Sequence, residues 1–120
     1  DKMKQTNTNL KTYVIYILLM TFIFFSSIAF GQMKAIYFNA EWNSANEIEW
    51  FDKLSDVKKE TMDIGHGDCQ EKYQIAIVPT IVLLKDGEEV KRFQADLSFK
   101  MVATRKEIQA TIDEILMSDF

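Results

Sequence analysis

The sequence is poor in the residues that build small folds from crosslinks or ligand clusters. It holds one cysteine, one histidine and one proline among 120 residues. A single cysteine excludes an intramolecular disulfide framework and a cysteine-cluster metal site. No metal and no cofactor is therefore expected. A basic excess is also missing, since 14 Lys+Arg stand against 18 Asp+Glu, for a net charge of −4. Nucleic-acid binders carry a basic patch, so no nucleic-acid partner is expected. Internal repeats and low-complexity tracts are absent as well. What remains is 48% hydrophobic and 27% charged. That balance belongs to a packed globule rather than a disordered chain, and the length suits one domain.

The apolar residues are unevenly spread. Tyr13 to Phe30 reads YVIYILLMTFIFFSSIAF without a charge, after Lys2, Lys4 and Lys11 and before Gly31-Gln32. A positive start, an apolar middle and small residues at the end form the layout of a secretory signal. Cleavage between Gly31 and Gln32 follows, with residues 1–31 as the signal peptide and 32–120 as the exported domain. Two other readings stay open. The run is at the short end of what spans a bilayer, so it could be a retained signal anchor in contact with the membrane. It could also be a buried core helix, although it has no polar face. As an anchor it would leave residues 32–120 outside the cytoplasm, in a periplasmic or other extracytoplasmic space.

Downstream, the patterns read as a mixed α/β domain. Lys34–Ala40 is a short run of β-formers. Ser44 and Glu47 make a capping box, and Ile48, Phe51 and Leu54 keep helical spacing, so a helix is predicted over 45–56. Lys58–Ile64 reads as a second strand, Gly65–Asp68 as a loop and Cys69–Tyr73 as a short helix. The apolar run Thr80–Leu84 marks a strand covered on both faces. Asp86-Gly87 signals a hairpin, and Val90–Ala95 is the returning edge strand, with Lys91 and Arg92 on it. Thr104 and Glu107 cap a last helix with a stripe of Ile108, Ile112, Ile115 and Leu116. The order β-α-β-α-β-β-α predicts a parallel pair followed by an antiparallel hairpin.

Residues 36–47, IYFNAEWNSANE, resemble the active-site segment of thioredoxins, F-x-A-x-W-C-G-P-C-K. Phe38, Ala40 and Trp42 stand where that motif expects them. Val78-Pro79-Thr80 resembles the family's cis-proline segment, and Lys85-Asp86-Gly87 its K-x-G turn. The resemblance spans about residues 34–117. It implies a thioredoxin-like small mixed sheet flanked by helices, truncated N-terminally because the family's first strand and helix have no counterpart. The departures bear on function. Asn43 and Asn46 replace the two redox cysteines, Ser44-Ala45 replaces Gly-Pro, and Tyr37 replaces a buried carboxylate. Thiol–disulfide exchange needs an attacking thiolate and a resolving thiol, and asparagine supplies neither.

The remaining side chains are weighed on their chemistry. Asn43 is suited to cap the predicted helix, with Asn46 a surface residue; functionally, both would line a retained groove. Trp42 and Trp50 flank that region, and an exposed tryptophan there would be a binding anchor. The resemblance implies that the backbone at Val78, before a cis Pro79, pairs with an extended partner peptide, which is strand addition without redox chemistry. Cys69 reads as a half-buried packing residue, with a monothiol redox site beside Lys72 as the sharper alternative. His66 reads as a loop residue, since its spacing to Asp68 and Cys69 fits no metal motif. Glu41, Glu47, Glu49 and Asp52 favour the start of the predicted helix electrostatically. The sequence therefore predicts an exported, redox-inactive module for a protein partner, with Trp42, Asn43, Ser44, Ala45, Asn46, Val78 and Pro79 as its groove. The alternatives are a membrane-anchored accessory subunit and a monothiol protein using Cys69.

Overall fold

The computed structural model describes residues 11–17 and 32–118. The chain divides into two units, Asp1–Phe30 and Gly31–Phe120. In the first, residues 11–17 form a helix, α1. The rest of the predicted signal or anchor, residues 1–10 and 18–31, lies outside the described residues. Among the described residues no helix is long and apolar enough to cross a membrane.

The second unit is built on four strands: β1 (Met33–Asn39), β2 (Lys58–Asp63), β3 (Thr80–Lys85) and β4 (Glu88–Gln94). Their order across the sheet is β2-β1-β3-β4. β1 and β2 are parallel and β3–β4 is an antiparallel hairpin, as the sequence predicted, and β1 and β3 are joined antiparallel. Two helices accompany them, α2 (Cys69–Lys72) and α3 (Arg105–Met117). Asp86 and Gly87 take φ of 52° and 86° at the tip of the β3–β4 hairpin. Positive φ at both central residues is what a two-residue type I′ turn requires.

The alternation of side chains along β1 and β3 creates two cores. Ala35, Tyr37, Ile81 and Leu83 face one side, against Ile48, Phe51, Leu54, Ile108 and Ile112. Ile36, Phe38 and Val82 face the other, against Ile75, Val78 and the flank of α2. A strand with period-2 geometry that is apolar at every position must be covered on both faces. The outer strands are correspondingly exposed, and β2 ties to β1 through a Lys34–Glu60 ion pair. The Thr104 hydroxyl caps α3 by accepting from the Glu107 N–H at 3.2 Å.

One predicted element is replaced. Instead of a helix over 45–56, two 3-10 turns occur, Glu41–Asn46 and Phe51–Lys53, separated by an extended Glu47 with φ −65° and ψ 144°. Ser44 does not act as a side-chain cap; its carbonyl accepts the Glu47 N–H at 3.2 Å. The Ile48 N–H, which a helix would have used, goes to the Tyr37 hydroxyl at 2.9 Å. Helix nucleation is costly over so short a segment, so tertiary partners that fix the backbone otherwise prevail. Ile48, Phe51 and Leu54 are nonetheless all buried. The sequence pattern identified the side chains to be buried but not the backbone that buries them.

Candidate functional site

The candidate site sits at the C-terminal end of β1. Ala40 is extended, and the Asn43 N–H closes back onto its carbonyl at 2.9 Å, which starts the first 3-10 turn. Asn43, at φ −109° and ψ 20° inside that turn, sends its side chain inward and is 4% exposed. Its amide donates to Asn39 Oδ1 at 3.1 Å and to the Phe99 carbonyl at 3.1 Å. Its oxygen accepts from Asn46 Nδ2 at 2.9 Å, and its backbone carbonyl accepts from Asn39 Nδ2 at 3.4 Å. Asn43 is thus no N-cap, and Asn46 is a half-buried member of a network rather than a surface residue. A buried carboxamide is retained at low cost only when its donors and acceptors are satisfied, and this one is. The three asparagines are uncharged carboxamides, and their mutual hydrogen bonds fix the loop that follows β1.

Phe99 is the residue that sequence reading missed. It lies in the β4–α3 connection, 56 positions from Asn43, and no local signal marks it. Its ring meets Trp42 edge-on, with centroids 5.1 Å apart and planes at 88°. Asp96 shapes this connection by accepting from the Ser98 hydroxyl at 2.6 Å, the Ser98 N–H at 2.9 Å and the Lys100 N–H at 3.2 Å. The Ser98 hydroxyl first, then these backbone N–H groups, hold the Asp96 carboxyl below its ordinary pKa. Phe99 itself has φ +64°. Trp42 stays 65% exposed, and Ser44 and Ala45 are exposed beside it.

The Val78–Pro79 bond is cis. Phe38 pairs with Thr80, and the Pro79 carbonyl accepts the Ala95 N–H at 3.0 Å, so this segment shares its end of the sheet with Asn39. Val78 is 1% exposed and Pro79 is fully buried. The solvent-facing part of the predicted groove is Trp42, Ser44 and Ala45.

Tyr37, at the position of the family's carboxylate, is 2% exposed. Its hydroxyl is engaged by the Ile48 N–H, and burial, the largest influence, raises its pKa above 10.0. It is a structural acceptor. Cys69 is half-buried against the second core and its thiol points to the carbonyls of Asp63 and His66, at 3.4 and 3.6 Å. His66 joins Glu41, Trp42 and Asp63 around an open depression of about 380 Å³. Among the described residues, no group of three His, Cys, Asp or Glu side chains could hold a metal ion. Trp50 is half-buried against the first core and so is not the exposed anchor.

Comparison with known proteins gives the fold. A mutant thioredoxin from Halobacterium salinarum NRC-1 superposes with a TM-score of 0.55 at 18% identity, over 71% of this chain and 75% of that one. Thioredoxin 1 from Thermosipho africanus gives 0.55 at 24% identity, over 71% and 96%. A mutant thioredoxin from Entamoeba histolytica gives 0.54 at 24%, over 69% and 81%. The chain therefore has a thioredoxin-like fold. No protein-family model matches it, and no curated protein sequence matches it.

Proposed function

We propose that this chain is an exported, redox-inactive thioredoxin-like module that binds a protein partner through the exposed Trp42–Ser44–Ala45 surface. One observation carries the reading. The two positions that a dithiol would occupy hold carboxamides, which are bonded to one another, to Asn39 and to the Phe99 carbonyl. Polar capacity there is spent on shaping the loop that displays Trp42. The only thiol, Cys69, is turned toward carbonyls of the 63–66 segment and has no resolving partner in the chain. An exposed aromatic on a braced loop is a low-entropy anchor for a macromolecule. The direct test is insulin reduction driven by dithiothreitol. The expected rate equals that of dithiothreitol alone, and catalytic turnover would overturn the redox-inactive reading. Photocrosslinking from position 44 tests the binding face, and its silence toward every protein of the native compartment would count against a module.

Export rests on the signal-like layout of residues 1–31. Mass analysis of the native protein is expected to find a chain beginning at Gln32. The unbroken apolar run Tyr13 to Phe30 favours a second reading, an anchored accessory subunit. A native chain that retains that run would select it.

A further inference from the structure

We propose that the depression beside Trp42 docks a basic segment of the partner protein, with a lysine or arginine side chain lying against the indole. The inference rests on the module reading and adds the partner's chemistry. Two adjoining depressions, of about 380 and 160 Å³, share Ala40, Glu41 and Asp63. Trp42 walls the larger one and Glu47 the smaller. No lysine or arginine lines either, and the only other titratable side chains on their walls are His66 and Tyr37. The ion pairs described in the chain lie elsewhere, at Lys34–Glu60 and Arg92–Glu89, so Glu41, Glu47 and Asp63 have no described cation of their own. Asp63 spends one oxygen on the Gly65 N–H at 2.7 Å.

The aromatic wall supplies the second half of the argument. Trp42 is 65% exposed, yet its orientation is fixed by the edge contact with Phe99. An indole face is the best side-chain partner for an alkylammonium or guanidinium group. Half-buried Ile64 on the same wall offers an apolar surface for the methylene stem of a long cationic side chain. An acidic partner segment would meet three carboxylates, and a purely apolar one would leave them desolvated without a counterion. Charge complementarity therefore selects a basic occupant.

The test titrates the full chain with a fluorescent dodecapeptide of alternating alanine with lysine and arginine. A glutamate counterpart and an alanine–leucine counterpart serve as comparisons. Binding of the basic peptide alone is expected, weakening as salt rises. Trp42→Ala is expected to weaken it about tenfold, and Glu41→Gln about threefold with a shallower salt dependence. Both side chains are exposed, and near-UV circular dichroism confirms that the variants fold. Equal binding of all three peptides, no binding of the basic one, or unchanged affinity in Trp42→Ala overturns the inference. Preferential binding of the alanine–leucine peptide, lost in Trp42→Ala, also overturns it while leaving the module reading standing. The module reading itself fails on the separate insulin and crosslinking tests.

Discussion

Replacing Asn43 with alanine tests whether the carboxamide network holds the loop that displays Trp42. The substitution deletes two donations, to Asn39 Oδ1 and to the Phe99 carbonyl, and one acceptance, from Asn46. Each buried or part-buried hydrogen bond contributes about 1 kcal/mol net, so the upper sum is about 3 kcal/mol. Asn46 and Asn39 are half-buried and recover part of their bonding from water. The expected loss is about 2–3 kcal/mol. For a domain of this size that is a fall in Tm of roughly 8–24 °C, and a drop in the urea midpoint of about 1–2 M at unchanged m. Asn43→Asp separates hydrogen-bond polarity from shape. The aspartate fits the same space, but it brings an acceptor against the Phe99 carbonyl and Asn39 Oδ1, so it should destabilise at least as much as alanine. Urea unfolding followed by circular dichroism reads both variants. An unfolding free energy for Asn43→Ala within about 0.5 kcal/mol of the parent chain, or an Asn43→Asp variant as stable as the parent, would refute the network as the brace.

Three further outcomes follow from the same contacts. Tyr37→Phe removes the acceptor of the buried Ile48 N–H and should cost about 1–3 kcal/mol in urea unfolding. Because burial raises the Tyr37 pKa above 10.0, the unfolded chain loses that proton first. The Tyr37 contribution is thus complete below pH 10 and is lost as pH rises toward the folded value, so the alkaline slope of stability should be shallower in Tyr37→Phe. Arg92 grips the end of α2 by donating to the Tyr73 and Gln74 carbonyls at 2.7 and 2.9 Å while paired with Glu89. Arg92→Lys keeps the charge but loses the planar fork, and is expected to cost about 1–2 kcal/mol; a lysine variant with parental stability would show that the fork is dispensable. The double substitution Asn43→Cys with Asn46→Cys should not create an efficient reductase, because a six-residue 3-10 turn supplies little of the helix-terminus field that activates such thiols. Insulin turnover comparable to a redox-active thioredoxin would contradict this.

Patterning alone determined much about this protein. The two-sided burial of β3 was legible because the continuous apolar run at 80–84 has no face to give to water. The hairpin was legible at Asp86-Gly87, since the turn chemistry is local, and so was α3, whose cap at Thr104 and buried Ile108 and Ile112 lie within a few turns of one another. The lack of a CxxC dithiol was legible from residue type, because no fold turns Asn43 and Asn46 into thiols. The single cysteine set a limit of the same kind.

The tertiary structure decided what those asparagines do instead. A capping box and helical spacing favoured a helix over 45–56, but the Ile48 N–H found the Tyr37 hydroxyl across the core and the backbone broke into two 3-10 turns. Asn43 read as a cap from its neighbours in sequence and became a buried hub through Phe99. Val78 and Pro79 read as an open edge and are buried. The physical reason is shared by all three. Hydrophobic period and turn propensity are properties of neighbouring residues, so they can be read along the chain. The fate of one polar group at the end of a strand depends on which distant carbonyl, hydroxyl or ring the completed fold brings within hydrogen-bonding or van der Waals range.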